Sequence, residues 1–507
     1  MDAPDRFVIR YLDGTTTASP FRAAEAAERQ AGLRALDRES VPTGRLLAAL
    51  STALDLTEGQ LPGHSLRTCY LAMRLADAAG MSTADREALF FAAFLKDAGC
   101  SSNAAAVTRI FGSDDIALKT RQATTERGIL AYAAFTMRSL PLTEPLPLRL
   151  RRLVAIGVRG RREQREIEQI RCERGAAIAR KAGFDGAVGD AILDLHEHWD
   201  GGGEPRGRRG AAIHPLARIL AACQGLDIFL NATGPARAVE VLRARRGTWY
   251  DPDVVDALLV AVSGGLLDDL TAPHLVARTM SLEPGGTIRT SDDEAIDRIA
   301  SAFADIVDAK SPFTGSHSQK VADVAGSVAA HLGLPLPAIV DVRRAGLLHD
   351  LGKLGVPNVI LDKPSRLDAS EMEVIRRHPE LTLRILEPIP TFAGVAELAA
   401  CHHERLDGRG YFRGLTAPDL AIGARVVAVA DVFEALTADR PYRAAMSHAE
   451  ALAIMREGAG EHLAADVIDA LSETLDDQLL AKLTRNSSVP LSAIETTNPP
   501  MLGAPIA

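Results

Sequence analysis

The chain repeats itself, and that repeat limits its fold more than any other feature. GHSLRTCYLAMRLADAAGM from Gly63 returns as SHSQKVADVAGSVAAHLGL from Ser316, and FLKDAG at 94–99 returns as LLHDLG at 347–352. His64 to His317 and Asp97 to Asp350 are both 253 positions. Further on, LHEHWDGGG pairs with HHERLDGRG and ARILAACQGLDIF with ARVVAVADVFEAL, and here Leu195 to His402 and Gln224 to Asp431 are both 207 positions. TWYDPDVVDALL at 248–259 also echoes EHLAADVIDALS at 461–472. Matched blocks in one order, with 46 more residues between them in the first half, describe a duplicated domain carrying an insertion.

Apolar residues recur at three and four spacing in RLLAALSTALDL and AIDRIASAFADIVDA, and aromatics make up only 4% of the chain. In the second stretch Ile299, Ala302, Phe303 and Ile306 share one helical stripe, while Asp297, Arg298 and Asp305 fall away from it. The spacing predicts an all-α chain. An N-terminal segment covers 1–40, a first repeat 41–270, a second repeat 294–485. Pro, paired Gly and small polar residues mark 271–293 as a linker, and the aperiodic, Pro-rich stretch 486–507 reads as a disordered tail. Each repeat is long enough to bury its own core.

A net charge of −9 argues against a general nucleic-acid surface, and RGRREQR at 159–165 interleaves its cations with Glu and Gln as a solvated helix face does. Cys69, Cys100, Cys172, Cys223 and Cys401 are odd in number and scattered, which excludes a disulfide framework and a CxxC zinc pattern. MDAPDRFVIRYLDG is not a signal peptide, and no run of about 18 apolar residues occurs. The expectation is a cytoplasmic protein without membrane or nucleic-acid partners.

Chemistry concentrates in the second repeat. Asp431 lies on the stripe of Ala424, Val427, Ala428 and Ala435, where a lone carboxylate would cost several kcal/mol or take up a proton. Four more elements set His or Asp beside apolar stripes: His317, the pair His349 and Asp350, His378, and the pair His402 and His403. Five imidazoles and two carboxylates are too many for one tetrahedral zinc and suit two octahedral iron or manganese ions. Such a pair lowers the pKa of a shared water and holds a phosphodiester in line for attack. The reaction class this implies is phosphoester hydrolysis.

HDLGKLGVPNVILDKPSRL, HPELTLRIL, HHERLDGRGYFRGL and ARVVAVADVFEALTADRPYR, in that order over about 294–472, resemble the HD-GYP domain, a branch of the HD phosphohydrolase superfamily. The resemblance implies two tandem helical HD-type domains, the second of HD-GYP type, and a metal-dependent phosphodiesterase that opens cyclic di-GMP to pGpG or on to GMP. By the same resemblance His317, His349, Asp350, His378, His402, His403 and Asp431 match the metal ligands, Asp350 and Lys353 the catalytic pair, and Arg440 and Arg443 the residues that hold the substrate's phosphates or guanines. Lys353, one turn after Asp350, suits a point charge on a developing oxyanion. Phe313 stands where some members carry a Glu for a third metal, so two divalent ions, iron or manganese, are expected. Phe412 replaces the Pro of the name motif in a loop linked to partner docking, and without that fixed φ the loop should be more mobile. A signalling protein and a second copy of the chain remain open as partners.

The first repeat keeps His64, Asp97 and His196, but Lys96 replaces His349, Arg171 replaces His378, Leu195 replaces His402, Gln224 replaces Asp431 and Cys100 replaces Lys353. Fixed cations repel a divalent ion, so no metal is expected there, with Lys96 paired to Asp97 or His196 in a filled core. A nucleotide-sensing cationic pocket at Lys96 and Arg171 is the alternative for this half. For the whole chain the alternative is a catalytically silent cyclic-nucleotide receptor that signals through a partner protein.

Overall fold

A computed structural model describes residues 41–125, 129–141, 145–184, 186–271, 274–284, 290–312, 315–439 and 444–475. The segment 1–40, Phe313, Arg440, Arg443 and the tail 486–507 lie outside the described residues.

Those residues are almost wholly helical. In the first repeat the framework is α1 (Thr43–Thr57), α2 (His64–Ala78), α3 (Thr83–Leu95), α4 (Asp115–Ala123), α5 (Leu146–Lys181) and α6 (Pro215–Thr233). In the second it is α7 (Asp293–Asp308), α8 (His317–His331), α9 (Leu336–Leu348), α10 (His378–Leu386), α11 (Ala393–Ala400) and α12 (Ile422–Thr437). Helices α2 and α8, α3 and α9, and α6 and α12 begin at positions related by the sequence offsets, while α4 and most of α5 lie in the stretch that is longer in the first repeat.

Local chemistry sets the helix starts. The Ser82 hydroxyl accepts from Asp85 N to cap α3, and the Asp292 carboxylate accepts from Ala295 N to cap α7. Helices α2 and α8 both begin after a left-handed residue, Gly63 at φ +81° and Ser316 at φ +63°. One residue in, Ser65 donates to buried Asp55 and Ser318 to buried Asp308, so the two copies tie α1 to α2 and α7 to α8 by the same bond. On α7 the buried residues Ile296, Ile299, Ala300, Phe303, Ile306 and Val307 realise the stripe read from the sequence.

One hydrophobic core runs from Val41 to Leu471 through both repeats. Helix α1 of the first repeat packs on α10 and on the 3₁₀ turn Leu351–Gly355 of the second, and α5 packs on α7. The stretch read as a linker carries short regular elements in its described parts. It contains a helix, Leu275–Met280, whose Leu275 and Met280 lean on the core, and a strand, Thr290–Ser291, that pairs antiparallel with Val41–Pro42. Six residues are too few to show a period against neighbouring Pro and Gly, which is why the pattern hid them. No helix among the described residues is long and apolar enough to cross a membrane.

Candidate metal centre

The candidate ligands come from α8, the end of α9, α10, the end of α11 and α12, and they meet in one buried cluster. His349, Asp350, His378 and His402 are almost fully buried, and Asp431 is partly covered. His349 and Asp350 follow the end of α9, where the chain enters the 351–355 turn. That turn passes so close to α10 that a Cβ on Gly352 would sit 2.0 Å from the His378 carbonyl oxygen, so only glycine fits.

Backbone carbonyls orient three of the rings. The Nδ1 of His349, His378 and His402 lies 2.8, 2.7 and 2.6 Å from the carbonyl oxygens of Gly346, Ile375 and Ala399, each three residues upstream. A carbonyl only accepts, so each Nδ1 carries the proton and each Nε2 turns a lone pair inward. The fourth ring, His317, is held through Nδ1 by the buried carboxylate of Glu434. This carboxylate–imidazole pairing is the usual outer support of a metal-ligating histidine.

Asp350 stands between two groups of rings. Its Oδ2 is 3.4 Å from His349 Nε2 and 3.7 Å from His317 Nε2, and its Oδ1 is 3.3 Å from His378 Nε2 and 3.7 Å from His402 Nε2. Asp431 Oδ1 joins the first group, 3.4 Å from His317 Nε2 and 3.8 Å from His349 Nε2. His403 joins the second, its ring centroid 4.1 Å from that of His402. Ligand atoms within 4.8 Å of one another occur in the sets His317, His349, Asp431, then His349, Asp350, His402, then His378, His402, His403. All seven sequence-predicted ligands are thus brought together, with one carboxylate shared between two groups.

The donor set fits divalent ions on two observations. His378 Nε2 and His402 Nε2 are 3.1 Å apart with both protons committed elsewhere, which brings two lone pairs face to face. Asp350 Oδ1, fully buried, has no hydrogen-bond partner. A cation relieves both. The electrostatics agree: burial pushes His378 down, burial and the neighbouring rings push His402 well down, and burial holds His403 at about 3, so these imidazoles are neutral, as ligands must be. Burial also opposes charge on His317 and His349, yet Asp431 and Glu434 lift His317 to about 10 and Asp350 and Asp431 raise His349, a sign that these carboxylates call for positive charge.

Lys353 Nζ donates to Asp350 Oδ2 at 2.5 Å. The pair sits on a 3₁₀ turn rather than on the α-helix expected from the sequence, and residues three apart eclipse there, which puts the ammonium over the shared carboxylate. The loop around Phe412 makes contacts of its own with the site. Tyr411 N donates to His403 O at 3.2 Å and its ring lies 4.7 Å from that of His403. Glu404 accepts from Arg413 N and Leu415 N, and the Arg413 guanidinium lies 5.3 Å from the Phe412 ring centre.

Glu434 was missed in the sequence. The available signal was a second acid one turn after Asp431 in an otherwise apolar run, matched by Asp227 at the 207 offset.

The equivalent place in the first repeat holds charges of its own. Lys96 Nζ pairs with Asp97, and Arg171 reaches Asp97 at 3.3 Å, Glu58 at 3.1 Å and Glu168 at 3.7 Å. Lys119 Nζ is 3.1 Å from Glu58. Glu58, Asp97 and Cys100 are near enough to share an ion, but three cations already neutralise them and burial keeps the Cys100 thiol protonated. The cations that a nucleotide sensor would need are committed to carboxylates.

The HD domain family matches residues 158–254 and 301–467. The chain is 38% identical over 440 residues, 87% of its length and 96% of the relative's, to a 3'3'-cGAMP-specific phosphodiesterase 3 of Vibrio cholerae serotype O1. It belongs to the HD domain family. A cyclic di-GMP phosphodiesterase of Pseudomonas aeruginosa is 41% identical over 149 residues, 29% of this chain and 36% of that one. Among solved structures, a cyclic GMP-AMP specific phosphodiesterase of V. cholerae aligns with a TM-score of 0.59 at 35% identity, covering 85% of this HD-domain chain and 97% of the other.

Proposed function

We propose that this HD-GYP protein is a metal-dependent phosphodiesterase of 3'3'-linked cyclic dinucleotides. The observation that carries the reading is the buried Asp350 carboxylate, unpartnered at Oδ1, between two groups of imidazoles whose Nε2 atoms face it. His317, His349, Asp350 and Asp431 would hold one divalent ion, iron or manganese, and His378, His402, His403 and Asp350 the other. Such ions supply Lewis acidity toward a phosphodiester and an attacking water.

The chain's own groups do the rest. Glu434 and three backbone carbonyls fix the ring orientations, so the ligands need no reorganisation. Lys353, partly open to solvent, donates to the oxygens of the scissile phosphate as negative charge grows. Arg440 and Arg443 hold the remaining phosphate or a guanine, a role suited to planar guanidinium groups.

Sequence motifs alone pointed to cyclic di-GMP first and to a related cyclic dinucleotide second. The relative that aligns across both repeats acts on 3'3'-cGAMP, whereas the P. aeruginosa cyclic di-GMP enzyme aligns over 149 residues. This supports 3'3'-cGAMP as the preferred substrate and cyclic di-GMP as the second. The test is hydrolysis of each by full-length protein loaded anaerobically with Fe(II) or with Mn(II), the products resolved by chromatography. The expected result is linearisation of both, faster for 3'3'-cGAMP, and none with His349→Ala. Tight binding without turnover rejects the enzyme and leaves the receptor.

A further inference from the structure

The first repeat has no intact ligand set, yet the part of it without a counterpart in the second repeat reaches the turn that carries Lys353. Asp115, at the start of α4, is fully buried, and its Oδ1 accepts from Asn358 N at 2.7 Å. Asn358, also fully buried, donates through its side-chain amide to Lys310 O and to Asp362, both at 2.7 Å. Lys310, 1% exposed, turns its ammonium to Leu354 O at 2.7 Å, next to Lys353. Burial pulls Lys310 down to about 8, and Asp115 is the largest charge acting in the other direction. Four residues along α4, Lys119 donates to Cys100 O and pairs with Glu58, which binds Arg171 in the altered site. A buried polar chain therefore links the altered site of the first repeat to the 351–355 turn of the second.

We propose that Asp115 is a positioning residue: the insertion of the first repeat clamps the turn bearing Asp350 and Lys353 through Asn358 and Lys310, and so sets the height of the Lys353 ammonium over the metal centre. A buried 3₁₀ turn of five residues has few hydrogen bonds of its own. Thr382 Oγ1 accepts from Gly352 N at 2.9 Å, and two further outside anchors, one on Leu354 O and one on the backbone just beyond the turn, restrict it where chemistry requires a fixed ammonium. The inference assigns the degenerate repeat a physical task without any ligand, and its catalytic arm rests on the phosphodiesterase reading above.

The experiment compares Asp115→Ala and Asp115→Asn in the full chain by hydrogen–deuterium exchange of residues 351–362, by metal content and by steady-state hydrolysis of 3'3'-cGAMP. In Asp115→Ala those amides should exchange about tenfold faster or more, and kcat should fall by a similar factor at unchanged KM and metal content. Asp115→Asn should restore both, since its amide oxygen still accepts from Asn358 N. Wild-type exchange in Asp115→Ala, or no rescue by Asn, overturns the clamp. Should Asp115→Ala not fold, the paired change Asp115→Asn with Lys310→Met keeps the tie to Asn358, leaves neither buried charge and removes the tie to Leu354 O. It should show the fast exchange, and slow exchange there overturns the proposal. The exchange readout needs no turnover, so an inactive wild type would reject the phosphodiesterase reading while the clamp is still decided.

Discussion

Asp350 in the second repeat stands among His317, His349, His378 and His402, whereas Asp97 in the first stands between Lys96 and Arg171. Around both aspartates the frame is the same. A Cβ on Gly99 would meet the Arg171 carbonyl oxygen at 1.9 Å, as one on Gly352 would meet that of His378 at 2.0 Å. Glu197 accepts from Arg206 N and Arg208 N as Glu404 does from Arg413 N and Leu415 N. His64 pairs with Asp227 at 2.7 Å in the place of His317 with Glu434. The difference lies in where the positive charge comes from. In the second repeat His378, His402 and His403 are neutral and the carboxylates draw positive charge onto His317 and His349, so the centre calls for cations, while Lys96 and Arg171 bring covalently attached cations to the same carboxylate in the first.

The comparison breaks most plainly if a second-repeat ligand can be lost without consequence. Asp350→Asn removes the shared carboxylate, and hydrolysis should fall by about a thousandfold or more, measured on protein that remains folded by circular dichroism. Lys96→Ala is the converse in the first repeat. It leaves the buried Asp97 carboxylate with Arg171 as its remaining ion-pair partner, so urea unfolding should show a loss of about 1–3 kcal/mol, with metal content unchanged.

The paired outer carboxylates sharpen the contrast. Glu434→Gln should weaken metal affinity by about 10- to 100-fold in a competition titration with a chelator. Asp227→Asn, at the equivalent position, should cost about 1–3 kcal/mol of stability and leave metal affinity as it was. The smallest effect concerns Asp114 on the insertion, which burial and then Asp115 raise to about 6. A folded pKa above the unfolded value of about 3.9 favours the protonated native state. That contribution is fully present below about pH 4 and is lost as pH rises through about 6. Asp114→Asn should therefore gain on the order of 1 kcal/mol relative to wild type at pH 8 over its difference at pH 4, read from urea midpoints.

Much of this contrast was legible in the sequence, because two constant offsets align every candidate ligand with its counterpart, kept at His64, Asp97 and His196 and replaced at Lys96, Arg171, Leu195 and Gln224. The all-α class followed from helical spacing, and the seven candidate ligands followed from polar residues set in apolar stripes. What escaped were contacts made across long separations. Glu434 supports His317 from 117 positions away, and Asp115 reaches Asn358 across 243. The continuous core escaped too, since residues such as Leu56 read as the apolar face of one repeat without revealing that they lie against Gly355 of the other. Lys353 was placed on the right side of Asp350 but on the wrong kind of helix, because i, i+3 neighbours share a face in both.

Elemental analysis of the full chain, purified anaerobically and reconstituted with Fe(II), tests the asymmetry of the two repeats most directly. The account predicts two ions per chain, a clear loss in His378→Ala and no change in His64→Ala. Metal retained in full by His378→Ala, or lost on substitution of His64, would contradict it.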